Sequence, residues 1–195
     1  MSLDQIPQII MDKFEVHEWK HAIAILKSDF PNEWNELVAM LSELVIPLEW
    51  ITEAGGNKSK IAVWVDDFLC VQRGWVEKKF ETSVKVDGTE FDSPTHKIDC
   101  FKNGIAVELE WNNKDPFFDR DLNNFRLLFD LRAVSVGVII TRCDELQTVF
   151  NSLGKGASYG NSTTHMSKLL PRIEGGGGAG CPVLVFGIQT SCIRR

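Results

Sequence analysis

Three acids, Asp99, Glu108 and Glu110, fall within one stretch, KIDCFKNGIAVELEWNNKD from Lys97 to Asp115, that otherwise has the apolar alternation of a half-buried hairpin. Asn103-Gly104 at its centre is the strongest short-range signal for a two-residue type I′ turn, because both central residues must take positive φ. With that turn Asp99 faces Glu108 and Ile98 faces Leu109. Strand alternation then places Ile98, Cys100, Val107 and Leu109 on one face and the three acids on the other. Directly opposed Cβ atoms lie about 4.5–5.5 Å apart. Two carboxylates at ~5 Å in an effective dielectric of ~20 repel by about 3 kcal/mol. A shared proton, the cation Lys97 opposite Glu110, or a bound metal would offset that repulsion. Two carboxylates and a strand carbonyl suit Mg²⁺, which leaves the rest of its shell to water and substrate phosphate. The plainer alternative is a solvated sheet face with a Lys97–Glu110 cross-strand pair.

The elements that must position this hairpin can be read from periodicity. Residues 8–28 place Phe14, Trp19, Ile23 and Leu26 at helical spacing, and residues 32–46 do so with Trp34, Leu37, Val38, Leu41 and Leu44, so a helical segment is expected over residues 1–50. His17 and His21, four apart on the first helix, could share a metal, but no HExxH motif is completed. IAVWVDDFLCVQRGW reads as a helix, and FETSVKV as a strand leading into a turn at Asp87-Gly88. After the hairpin, Leu122, Phe125 and Leu128 or Phe129 form one stripe of a helix starting near Asp119. The run VSVGVIIT is then typical of a strand buried on both faces. Strand, helix and buried strand make a right-handed crossover, so Val134 to Thr141 should run parallel to the strand bearing Glu108 and Glu110. CPVLVFGI, Cys181 to Ile188, reads as another buried strand, and the four glycines before it as a flexible connection without a phosphate-loop pattern.

A chain of 195 residues, 44% hydrophobic and 25% charged, suits one ordinary domain with a proper core. No run of 18 apolar residues and no signal-peptide pattern stands in it, which gives the expectation of a cytoplasmic protein. Five scattered cysteines without a CxxC pair argue against a disulfide framework or a zinc ribbon. The net charge of −6 is unevenly spread: residues 1–50 carry nine acids and three bases, whereas residues 151–195 carry one acid and five bases. A polyanion could dock on that basic last quarter while the acidic part points away.

A mixed sheet whose hairpin carries Asp99, then Glu108, then Glu110, followed by a helix and a parallel strand, resembles the PD-(D/E)xK nuclease core. The third position, usually Lys, is Glu110 here. This departure, together with the ending Cys181 to Ile188, is similar to the branch of type II restriction endonucleases that contains BamHI and BglII. The resemblance implies an α/β, restriction-endonuclease-like core: a central mixed β-sheet flanked by helices, with residues 80–190 as its catalytic part. It implies that Asp99 and Glu108 hold Mg²⁺ (Mn²⁺ as a substitute), that the Leu109 carbonyl is a further ligand, and that Glu110 orients or deprotonates the attacking water. Lys114 is a weaker candidate for the missing lysine, and Glu53 for an additional upstream acid. The partners implied are double-stranded DNA, cut at a short palindrome, and a second copy of the chain, with the helix from Asp119 to Leu131 as a first candidate for the dimer surface.

Base edges in the major groove are read by Asn, Ser, Thr, Arg and Lys side chains. Asn161, Ser162, Thr163, Thr164 and His165 form such a constellation in the basic quarter, and Asn57, Lys58, Ser59 and Lys60 a second; either is otherwise ordinary polar surface. Three rival readings remain at this level. A retaining glycosidase also needs two carboxyls ~5–5.5 Å apart, with Trp111 as its nearest sugar platform. A repair or structure-selective nuclease would keep the same fold, and a non-catalytic module would use the acids only in ion pairs.

Overall fold

The computed structural model describes residues 3–53, 58–92 and 95–194. A short helix α1 (Gln8–Met11) leads into strand β1 (Phe14–Trp19), then helices α2 (Ala22–Asp29) and α3 (Pro31–Glu43). A two-residue strand β2 (Ile46–Pro47) and helix α4 (Leu48–Thr52) follow, and α5 (Lys60–Asp66) continues as a π-helical turn, Asp67–Val71. Then come β3 (Val76–Lys78), a separate hairpin of β4 (Ser83–Val86) and β5 (Thr89–Asp92), and the central hairpin of β6 (Ile98–Lys102) and β7 (Ile105–Glu110). The chain ends through α6 (Phe117–Asp130), β8 (Val136–Arg142), α7 (Leu146–Ser152), α8 (Met166–Glu174), β9 (Val183–Ile188) and a last strand β10 (Ile193–Arg194).

Six strands form one mixed sheet in the order β1-β9-β8-β7-β6-β3. Strands β7, β8 and β9 are parallel, with Glu110 beside Thr141 and Thr141 beside Gly187, and β1, β6 and β3 join antiparallel. The crossover from β7 through α6 to β8 is the one that the apolar run after the hairpin requires. Helices cover both faces. One core packs Leu37, Leu41, Val65 and Phe150 against Val107, Val138 and Phe186, and the other packs Phe118, Phe125 and Leu169 of α6 and α8 against Ala106, Ile139 and Val185. Helix α6 lies so close to β8 that a Cβ on Gly137 would stand 2.3 Å from the Phe125 ring.

The first fifty residues differ from the helical expectation. Residues 8–28 divide into α1, β1 and α2, because Phe14 and Val16 turn inward and β1 closes the sheet edge on β9. Phe14 satisfies both a period of 2 and one of 3.6, and the pairing with a strand some 170 residues away selects the first. Lys20 and His21, at φ 55° and 60°, turn the chain from strand to helix. His17, on β1, is therefore not on a helix with His21, and its partner is Glu15 at 2.7 Å. The glycine run is a hydrogen-bonded turn rather than a loose connection: Gly176 has φ 91° and Gly177 N donates to Arg172 O at 2.8 Å.

The central hairpin forms in the register read from Asn-Gly. Asn103 and Gly104 have φ 48° and 89°, and Cys100 pairs with Val107, Phe101 with Ala106 and Lys102 with Ile105. Its turn is pinned to α3, where Asn103 Nδ2 donates to Glu33 at 2.7 Å and Lys102 Nζ to Glu36 at 2.8 Å. Ile98 departs from strict alternation. Lys78 pairs with Ile98 but Val76 with Phe101, so β6 holds one extra residue there, a bulge. Ile98 accordingly packs with Ala106 and Phe118, not with Cys100, Val107 and Leu109.

Candidate active site

The ladder between β6 and β7 runs only as far as Cys100 and Val107. Beyond it the two facing acids bond to each other's strand: Asp99 N donates to Glu108 Oε2 at 3.2 Å, and Leu109 N donates to Asp99 Oδ2 at 3.1 Å. The sequence places the acids opposite each other, and the structure interlocks them. Burial raises the proton affinity of both carboxyls. For Glu108 the charges of Asp121 and Asp99 add to burial, whereas for Asp99 the Leu109 N–H and Lys58 oppose it. Among the described residues Glu108 Oε1 is buried without a hydrogen-bond partner. A buried carboxylate oxygen left unpaired is costly unless a proton or a cation meets it.

Glu110, almost wholly buried at the end of β7, accepts from Asn113 Nδ2 at 2.7 Å and from Arg120 Nη2 at 3.2 Å. Arg120, on the first turn of α6 and stacked over Phe117, also binds Asp121 at 2.7 Å. Burial comes first in pushing Glu110 up to about 9, followed by the charge and hydrogen bond of Asp121, and burial likewise moves Asp121 up to about 6 against the pull of Arg120. Lys97, expected opposite Glu110, instead pairs with Glu77 at 2.9 Å, because the strands have already parted at that point.

Asn113, Arg120 and Asp121 were not foreseen. Asp121 had a legible signal, since it lies on the stripe of Phe118, Leu122 and Phe125 and is fully buried there. An acid on a buried stripe needs a partner. Asp66, on α5, is a further acid whose charge reaches Asp99, and it pairs with Lys58. Glu53 is not brought to the three acids: its contacts are Lys60 at 3.9 Å and, through its carbonyl, Lys155. Lys114 stands past the strand in a single bridge to Thr163. Trp111 is buried edge-on against Phe150 and Tyr159, so it offers no sugar platform.

A family model described as restriction endonuclease BglII/BglIII matches residues 14–188, from the first strand of the sheet to the last residue of β9. The chain belongs to that family. It is therefore a type II site-specific deoxyribonuclease, with the family's α/β fold and DNA as its partner. Among curated proteins none matches the chain. Membership decides against the glycosidase and against the module whose acids serve only in ion pairs. No helix among the described residues is long and apolar enough to cross a membrane.

Which donors this endonuclease offers a divalent ion can be tested on the acids themselves. Among the described residues no three His, Cys, Asp or Glu side chains gather as a metal-binding group. What stands ready is smaller: two interlocked carboxylates, one with an unpaired buried oxygen, and the backbone between Glu108 and Glu110. That set fits Mg²⁺, which takes one or two carboxylates and keeps several waters, better than an ion needing an all-protein cage.

The two expected DNA-reading loops of the enzyme fare differently. Asn161 and Ser162 are exposed, but Thr163, Thr164 and His165 are buried. Thr163 Oγ1 bonds Arg142 and Gly160, Thr164 bonds Asn113, and His165 Nδ1 lies 2.7 Å from Thr163 O. Their polar atoms hold the loop to the sheet, so of this constellation only Asn161 and Ser162 are presented outward. Asn57 lies outside the described residues. Ser59 caps α5 by accepting from Ala62 N at 3.2 Å, Lys58 turns to Asp66, and Lys60 is exposed.

Proposed function

We propose that this enzyme hydrolyses phosphodiester bonds of double-stranded DNA in a Mg²⁺-dependent reaction, at a short palindromic site, as a homodimer. The observation that carries the reading is the interlock of Asp99 and Glu108 around an unpaired buried oxygen. Asp99, Glu108 and the Leu109 carbonyl would hold the ion, and Mn²⁺, which favours the same oxygen ligands, would substitute. The ion, when bound, lowers the pKa of water and offsets the charge that develops on the scissile phosphate.

The chain's own residues supply the rest. Asn113 and Arg120 fix both oxygens of Glu110, so that it stands at the reacting end of β7 to orient the attacking water. Arg120 balances the charges of Glu110 and Asp121, both of which it pairs with. Lys58, whose charge reaches Asp99, and the exposed Lys60 suit the DNA backbone, while Asn161 and Ser162 suit base edges. A two-fold symmetric site calls for a two-fold protein, and α6 is our candidate for the shared surface.

The test is digestion of plasmid DNA by the purified protein with Mg²⁺, Mn²⁺ or EDTA, with fragment ends sequenced and the mass of the DNA complex measured. Discrete fragments whose ends define one palindrome, formed only with metal by a complex of two chains, are expected. A smear, cleavage in EDTA, or a single chain on each site would refute the corresponding part.

A further inference from the structure

Arg142 ends β8, one residue after Thr141, which pairs with Glu110. Its side chain is only 1% exposed, and among the described residues it has no ion-pair partner; Asp144 acts on it through charge alone. Its Nη2 donates to Tyr159 O at 2.8 Å and to Thr163 Oγ1 at 3.0 Å, and its Nε is buried without a partner among the described residues. The guanidinium also lies over the rings of Phe150 and Tyr159, 5.2 and 6.0 Å from their centroids. A buried cation without a carboxylate is expensive. An apolar residue would fill this place at lower cost, unless the two bonds are what the place requires.

Those bonds grip both feet of one loop, Tyr159 and Thr163, and the exposed Asn161 and Ser162 stand between them. Beside the loop an open pocket of about 320 Å³ is lined by Arg142, Asp144, Gln147, Gly160, Asn161 and His165. The loop is tied to the catalytic strand by a second route. Trp111, next to Glu110, donates through Nε1 to the Tyr159 hydroxyl at 3.2 Å. Tyr159 is thus gripped from the strand of the acids and from the strand beside it.

We propose that Arg142 is a positioning residue for sequence discrimination, holding the 159–163 loop by both feet so that Asn161 and Ser162 meet the DNA at a fixed place relative to Glu110. The inference rests on the reading of this loop as a DNA-facing element. Both bonds leave one nitrogen, Nη2, whose N–H directions are fixed by the guanidinium plane, whereas a Lys ammonium on its flexible stem keeps the charge without that fixed direction. Loss of position should cost discrimination without changing how many phosphates are neutralised.

The experiment compares the parent enzyme with Arg142→Lys, Arg142→Met and, as control, Asn161→Ala. Two quantities are read: the ratio of cleavage rates at the parent's own site and at the same site with one base pair changed, and the salt slope of DNA binding in Ca²⁺. Both Arg142 variants are expected to lower the rate ratio at least tenfold with the salt slope unchanged. A ratio kept by Arg142→Lys, or a slope that falls only in Arg142→Met, would assign the residue a charge role and overturn the proposal. Should Asn161→Ala alone lower the ratio, the loop reads DNA but Arg142 does not position it. Should neither Asn161→Ala nor the Arg142 variants lower it, the reading of the loop itself fails. If the Arg142 variants do not fold by circular dichroism, Thr163→Val, which removes one of the two acceptors, decides: a lowered ratio supports the grip and an unchanged one overturns it.

Discussion

Glu110 is the residue at which burial and charge meet most sharply. Its carboxyl is raised to about 9 by burial and by Asp121, whose own is raised to about 6, so the metal-free protein holds protons here that the unfolded chain releases near pH 4. The folded state binds more protons at these two carboxyls across that interval, so the stability they contribute is present near pH 4 and lost as pH rises to about 9. Melting of the metal-free protein against pH should show this decline, and Glu110→Gln, which keeps the shape without the charge, should flatten its upper part. A melting temperature rising over the same range in the parent would contradict the assignment. The same neighbours decide the third motif position. A Lys in place of Glu110 would meet Arg120 where the carboxylate now bonds it at 3.2 Å, so Glu110→Lys should cleave on the order of a hundredfold more slowly, at the level seen when a group orienting metal ligands is lost. Single-turnover rates check this, and a variant as fast as the parent would show that the local charge balance is not what selects Glu.

At the scale of elements, the hairpin was legible because Asn-Gly fixes both the turn and the register, and the register alone brings Asp99 onto Glu108. The crossover after it was legible for a related reason, a buried apolar run that follows a strand and a helix and suits a parallel strand. Strand β1 was not, since Phe14–Trp19 satisfies two periods and its partner is distant in sequence. Neither was the burial of Thr163, Thr164 and His165: polar composition suggests surface, but here the polar atoms are satisfied inside. Arg120 and Asn113 left no signal, because their role depends on where the start of α6 meets the end of β7. That meeting depends in turn on a close helix-to-strand approach. Gly137→Ala would drive a methyl into the Phe125 ring, at 2.3 Å for the added carbon, and overpacking of this kind costs about 1–3 kcal/mol. Urea denaturation should register the loss, and a variant of parental stability would mean that α6 can retreat from the sheet.

For the whole molecule, the net charge of −6 describes a DNA enzyme poorly, whereas its distribution describes one well: the last quarter is basic and the first is acidic. Affinity should then reside in a few cations. Lys60→Ala, which removes an exposed cation whose nearest acid is 3.9 Å away, should weaken binding to all sequences alike and flatten the slope of log K against log salt by about one unit. An unchanged slope would place the DNA elsewhere. The central claim, that the interlocked acids between β6 and β7 are the hydrolytic centre, is tested most directly by single-turnover cleavage with purified Asp99→Ala and Glu108→Ala in Mg²⁺, alongside their binding to the same duplex in Ca²⁺. The account predicts folded variants that still bind DNA and cut it by orders of magnitude more slowly than the parent. Cleavage at the parental rate in either variant would contradict it.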